Sequence, residues 1–145
     1  MRVVWSVGCK VGRLVEIKIW SPVTLAETDP WGVAHDAVIA RVDGPYVCFV
    51  DLVDATVFPP DVVEGYVKTM KNEPRLVRTG TLLNESPTFG MQIQRMIREA
   101  NNPERRAFRE TRELFDWLGE KLDRAERDRL RELLRARGMR LSLPA

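Results

Sequence analysis

The sequence predicts an α/β domain built on a mixed, mostly parallel β-sheet. Short apolar stretches take turns with helical patterns along the chain. In one of these stretches every residue is apolar, so apolar and polar residues do not alternate within it. Strands that alternate with helices form parallel sheets through right-handed crossovers. The first two apolar stretches are separated only by a short turn, which joins antiparallel strands. We therefore expect an N-terminal antiparallel hairpin at one edge of a sheet that is covered by helices.

The hairpin is predicted from residues 2–7 and 14–20, with a turn at Gly8–Gly12 between them. In the second stretch β-branched apolar residues stand at every second position, so that one face of the strand is uniformly apolar.

The first helix is predicted to begin at Thr24, because Thr24 and Glu27 have the spacing of a capping box. Pro30 lacks an N–H group, so the sequence predicts an interruption there and a restart with Asp29 as N-cap. The helix should then continue to about Val42.

The later elements follow the same alternation. The run VCFV, residues 47–50, predicts a central strand that is buried on both faces. The sequence predicts strands at 46–52, 76–83 and 106–108, and helices at 61–72, 86–101, 112–122 and 124–137. We expect residues 1–122 to form the α/β domain and 123–145 to form an extra C-terminal helix and tail.

The C-terminal helix carries Leu130, Leu133 and Leu134 on a narrow apolar stripe. One interpretation is that this helix packs on its own domain. The other is a homodimer through the helix and the tail at 139–144, in which the tail adds a strand to an open sheet edge.

Composition excludes several classes of protein. The chain has 145 residues, a net charge of +2 and no apolar run long enough to span a bilayer. Basic and acidic residues interleave closely over 112–138, which is typical of a solvated helix and not of a nucleic-acid surface. Because no signal-peptide pattern opens the sequence, we expect a cytoplasmic protein.

The stretch VDLVDATVFPPDVV, residues 50–63, together with the order of elements, resembles the STAS family of anti-sigma-factor antagonists. The resemblance is strongest to the SpoIIAA-like branch, which is also similar to lipid-binding CRAL-TRIO domains. It implies that Val47 to Val50 form the strand, that Asp51 is its terminal acid, and that Val57 and Phe58 form the apolar loop. It covers roughly residues 12–122.

The sequence departs from the family where the phosphorylatable serine would stand, because Pro60 or Asp61 occupies that place. Asp61 at a helix N-terminus has two interpretations: a fixed mimic of the phosphorylated state, or an N-cap without further meaning. We name residues 54–61 the crest, and the predicted partner-binding residues lie there: Asp54, Thr56, Phe58, Pro59, Pro60 and Asp61. Trp31, which stands between Pro30 and Gly32, is the predicted exposed interface aromatic.

No enzyme is predicted. His35 is the only histidine, and no nucleophile or paired carboxylate stands at a catalytic spacing from it. Asp51 and Asp54 could hold Mg²⁺ at the end of a strand, but a turn explains them equally well. We expect neither a metal nor a cofactor.

The sequence therefore leaves two hypotheses of function. The first is a non-enzymatic bacterial regulatory or adaptor module, which binds another protein of its pathway through the crest. The alternative is a small domain that binds an apolar ligand or a lipid. A ligand domain needs a sizeable cavity, whereas a docking module should be filled.

Overall fold

The computed structural model describes residues 4–20 and 23–139. Within these ranges five strands form one sheet in the order β1-β2-β3-β4-β5. In chain order the elements are β1 Trp5–Val11, β2 Leu14–Ile19, α1 Leu25–Arg41, β3 Tyr46–Asp51, α2 Pro60–Met70, β4 Leu76–Leu82, α3 Pro87–Ala100, β5 Arg105–Phe108, α4 Thr111–Gly119 and α5 Arg124–Arg135.

The sheet is mixed, as the sequence predicts. Strands β1 and β2 pair antiparallel, whereas β2, β3, β4 and β5 pair in parallel. Strand β3 lies in the centre, which confirms the prediction from its continuous apolar run. None of the helices in the described ranges combines the length and hydropathy that crossing a bilayer requires.

Helices α1, α2 and α3 cover one face of the sheet. Trp31, Tyr66 and Phe89, one from each helix, belong to a single apolar cluster. Val15 of β2 and Cys48 of β3 supply the sheet side of that cluster. The residue periodicity that predicted the helices therefore also selects the side chains that face the sheet.

Helices α4 and α5 cover the opposite face. Leu118 of α4 and Leu130 and Leu134 of α5 are fully buried. They share a second apolar cluster with Val47 and Phe49 of β3. The narrow leucine stripe of the C-terminal helix thus packs on this sheet. Residues 140–145, which contain most of the tail predicted to pair with a second copy, lie outside the described residues.

The hairpin turn differs from the prediction at Gly8–Gly12. Strand β1 continues to Val11, and the chain reverses at Gly12 and Arg13. Gly12 has φ +55°, a conformation that glycine adopts without strain. The pairing of β1 with β2 is irregular between Gly8 and Val11, so the early glycine marks a bulge and not the turn.

The predicted interruption at Pro30 was wrong, because α1 runs through this residue without a break. Proline inside a helix removes one backbone hydrogen bond and crowds the preceding turn. Trp31 and His35 follow on the same helix and are both buried against the sheet. The burial of these two side chains stabilises the helix and offsets the local cost of the proline. Asp29 therefore lies inside α1 and is not the N-cap of a second helix.

Glu126 joins the hairpin turn to α5. Its Oε1 atom accepts a hydrogen bond from the N–H of Asp123 at 2.9 Å, which completes the capping box of α5. Its Oε2 atom accepts from the N–H of Arg13 at 2.6 Å. The side chain lies against Gly12, and a Cβ atom at that position would overlap it.

We expect Gly12→Ala to destabilise the fold by about 1–3 kcal/mol, because alanine is strained at positive φ and would displace Glu126. The matched control is Gly65→Ala in α2, where an added Cβ meets nothing. That change should raise the free energy of unfolding by about 0.5–1 kcal/mol, since alanine is the better helix former. Urea unfolding of both variants measures the difference, and equal effects would contradict the role given to Gly12.

Candidate functional site

The crest joins the end of β3 to the start of α2, and Phe58 anchors it. This side chain is only 3% exposed. Its ring makes edge contacts with Tyr66 and Phe89, each with ring centroids 5.3 Å apart. Phe58 was predicted to contribute to partner binding, but its side chain points into the core, so only its backbone lies near the surface.

Side-chain amides from neighbouring elements fix the path of the crest backbone. Gln92 of α3 accepts a hydrogen bond from the N–H of Phe58 and donates one to its carbonyl oxygen, both at 2.8 Å. Asn84 donates to the carbonyl oxygens of Val53 and Ala55 at 3.1 and 2.9 Å. Specific hydrogen bonds therefore hold the backbone of the crest near both of its ends.

Asp51 and Asp54 hold the residue that follows α5. The guanidinium of Arg137 donates from Nε to Asp51 and from Nη2 to Asp54, both at 2.7 Å. Lys18 lies 3.7 Å from Asp54. The hydrogen bond from Arg137 holds the pKa of Asp54 below its ordinary value, and the charge of Lys18 acts in the same direction. The two acids thus serve as anions for basic side chains, and no group of three or more metal-ligating side chains lies together in the described residues.

The helix after the crest begins earlier than predicted. Pro59 is the N-cap and Pro60 the first residue of α2, so the prediction that Asp61 is the N-cap was wrong. Proline fits these positions because the first helical N–H groups need no partner within the helix. The carboxylate of Asp61 lies in the first turn and accepts from the N–H of Val62 at 2.8 Å. Pro59, Pro60 and Asp61 are all exposed.

An open groove of about 840 Å³ lies between the crest and α3. Val57 and Met91 line it, and their side chains are 47% and 73% exposed. Arg95, Arg98 and Arg109 also line it. Among the residues that the structure describes, neither Arg98 nor Arg109 forms an ion pair, so the groove combines apolar surface with unneutralised positive charge.

The prediction that Trp31 is exposed was wrong, because only 6% of it is accessible. Its ring stacks on His35 at 5.0 Å and meets the edge of Tyr66 at 4.8 Å. Proline and glycine on either side indicated a turn, but the residue lies within α1 and faces the sheet.

Two further residues of the crest, Thr56 and Asp54, are exposed, as a docking role requires.

A buried polar network lies under α1. Nε2 of His35 is 2.9 Å from Glu73, and Nδ1 is 3.2 Å from Asp36. Arg105 pairs with the other carboxylate oxygen of Glu73. Burial lowers the pKa of His35, but the bonds to Glu73 and Asp36 outweigh it and raise that pKa above 6.5. Burial acts to raise the pKa of Glu73, but the bonds with His35 and Arg105 outweigh it and hold that pKa below 4.5.

Sequence reasoning missed Gln92, Asn84, Arg137 and the pairing of Glu73 with Arg105. Each of these side chains acts on a residue far away in the chain, with a separation of 34 positions between Gln92 and Phe58. Such contacts leave no local spacing that a single sequence could reveal.

Comparison with known proteins bears on the fold. The sequence matches no described protein family, and no curated protein matches it. A similar solved structure is that of an uncharacterized protein of the DUF3478 family with a SpoIIAA-like fold from Shewanella loihica PV-4. The two chains share 14% identity with a TM-score of 0.61, over 79% of this chain and 94% of that one. This likeness confirms the SpoIIAA-like fold and, at such an identity, shows the fold alone.

The polar network predicts a pH dependence of stability. Because the pKa of His35 is raised on folding, its contribution is fully present below pH 6.5 and is lost as the pH rises through the folded-state pKa. The contribution of Glu73 is present above pH 4.5 and is lost as the pH falls through its lowered pKa. The stability difference between the wild type and His35→Phe should therefore be largest between pH 4.5 and 6.5.

Urea unfolding across the pH range measures this difference, and the signal of the only histidine reports its titration by NMR. A difference that stays constant up to about pH 9 would show that the charge of His35 does not act on the fold.

Proposed function

We propose that the chain is a non-enzymatic binding module. Its crest and the adjoining groove dock an acidic, amphipathic segment of another protein. The observation that carries the proposal is the pre-organised crest, which presents Val57 beside Met91 in a groove with three arginines. Exposed apolar side chains in a fixed backbone offer contact area without the entropic cost of ordering a loop.

The charges of the groove support an acidic partner. Arg98 and Arg109 form no ion pair with described residues, and Arg95 lies 3.5 Å from Glu99 on the same helix. An exposed pair of this kind is weak and can be exchanged for contacts with a partner. Arginine is also favoured at interfaces, because its guanidinium pairs with carboxylates in two-point geometry.

Two observations support the non-enzymatic part of the proposal. Both ring nitrogens of His35 lie against carboxylates, so the ring has no free nitrogen for a substrate proton. Burial raises the pKa of the Cys48 thiol, which disfavours the reactive thiolate. Neither side chain therefore has the surroundings of a general base or a nucleophile.

The lipid alternative receives less support from the interior. The cavity between the sheet and α1–α3 has a volume of about 90 Å³. Pockets for drug-sized ligands measure roughly 300–1,000 Å³. A cavity of this size is too small for an acyl chain, and its volume favours the docking proposal.

Met91→Glu should weaken capture of the partner by about tenfold or more, because it places a carboxylate where an acidic segment docks. The matched control is Val33→Glu on α1, since Val33 is 72% exposed and Met91 73%. Wild type and both variants are immobilised and exposed to extract from the source cells, and captured proteins are quantified by mass spectrometry.

The proposal predicts a protein that wild type and Val33→Glu retain equally and Met91→Glu loses. Its capture should also weaken with added salt, because exposed charges are screened. If all three immobilised proteins retain the same set, the groove is not the docking surface.

A further inference from the structure

The cavity between the sheet and helices α1–α3 is surrounded by an unusual set of polar atoms. Its walls are mainly apolar and include side chains of Ile17, Leu52, Phe58 and Ile93. Four further lining residues carry a buried nitrogen or oxygen without a hydrogen-bond partner: Trp31 Nε1, Tyr66 Oη, Thr79 Oγ1 and Arg105 Nε. All four residues are buried, with at most 6% of their surface exposed.

Such atoms are costly in a folded protein. A buried polar group without a partner loses its hydration and gains no bond in return, so it is normally paired. Four of them around one cavity indicate that the cavity content supplies their bonds. Trp31 Nε1 and Arg105 Nε can only donate, and the two hydroxyl groups can also donate. The content should therefore carry a hydrogen-bond acceptor.

The size of the cavity limits its content. A cavity of about 150 Å³ holds benzene, which has six non-hydrogen atoms. By proportion, the 90 Å³ found here holds about four non-hydrogen atoms. The apolar walls favour a small organic molecule, because its hydrocarbon part would pack against them. Internal water would fill the same space but would leave the apolar walls in contact with water.

The buried charges beside the cavity favour an uncharged molecule. The carboxylate of Glu73 is already paired with Arg105 and with His35. Glu27 is a further buried acid near Tyr66. The pKa of the Tyr66 hydroxyl is raised mainly by burial and further by the charge of Glu27. An added anion would lie among these carboxylates without a cation of its own, which is unfavourable at low dielectric.

We propose that this cavity is a binding site for a small neutral organic molecule with an acceptor oxygen, of the ketone, ester or alcohol class. The oxygen has two lone pairs and accepts from two of the donors of Trp31, Tyr66, Thr79 and Arg105 at a time, and the hydrocarbon part packs on the apolar walls. The site is separate from the crest and groove and does not depend on the docking function.

Three probes of about four non-hydrogen atoms test the site: acetone, acetate and 2-methylpropene. They are equal in size and offer a neutral acceptor, an anion and no acceptor, respectively. Binding is followed by the indole N–H signal of Trp31 in ¹⁵N-edited NMR, assigned with Trp31→Phe. We expect acetone to shift this signal saturably in the millimolar range, and the other two probes to bind at least about threefold more weakly.

Two tyrosine variants separate binding from folding. Tyr66→Phe removes an unpaired hydroxyl, so it should weaken acetone binding about three- to tenfold without lowering the melting temperature. The control is Tyr46→Phe: Tyr46 is similarly buried and does not line the cavity, and its hydroxyl interacts with Glu73. It should lower the melting temperature and leave the affinity unchanged. Thr79→Val repeats the test at a second donor with nearly the same volume.

Absence of a saturable shift with acetone would show that the cavity holds internal water only and would overturn the proposal. Equal affinity for acetone and 2-methylpropene, or full affinity in both Tyr66→Phe and Thr79→Val, would overturn it as well. A loss of partner capture in Met91→Glu would not affect this result, because Met91 does not line the cavity.

Discussion

The structure depends on the burial of β3 on both faces. Along this strand Cys48 faces the cluster under α1–α3, whereas Val47 and Phe49 face the cluster under α4 and α5. Each buried side chain of this kind contributes about 1.5–3 kcal/mol only if its face is covered. Helices must therefore lie on both sides of the sheet. The C-terminal helix α5 is part of that cover, because Leu134 is fully buried in the second cluster.

The crest is a consequence of the same constraint. Where β3 ends, the chain must leave the sheet, pass over the edge of the core and enter α2. Phe58 returns into the first cluster and makes edge contacts with aromatic rings of α2 and α3, and Gln92 satisfies both of its backbone groups. The segment between these fixed points must face outward, so Val57 is exposed although it is apolar. The apolar exposure on which the docking proposal rests thus arises from the way the core is closed.

The sequence predicted the fold because its signals are local: apolar runs, alternation and the capping box before α1 can be recognised within a few residues. It failed where distant contacts decide. Pro30 predicted a break, but burial of Trp31 and His35 keeps α1 whole. The crest was located from its turn residues, yet Phe58 was placed on the surface, because Gln92 and the aromatic cluster that hold it come from other elements. The groove required Met91 of α3, which no motif near the crest could indicate.

The central claim is that the crest is a fixed surface before any partner arrives, and amide hydrogen exchange tests it most directly. The amides of Val53, Ala55 and Phe58 donate to Asp51, Leu52 and Gln92, respectively. We expect these three amides to exchange slowly, with protection close to that of α3, whereas Thr56 and Val57, between the bonded positions, exchange fast. Exchange of Phe58 at the rate of an unfolded chain would show that the crest is ordered only on binding, and would contradict the account.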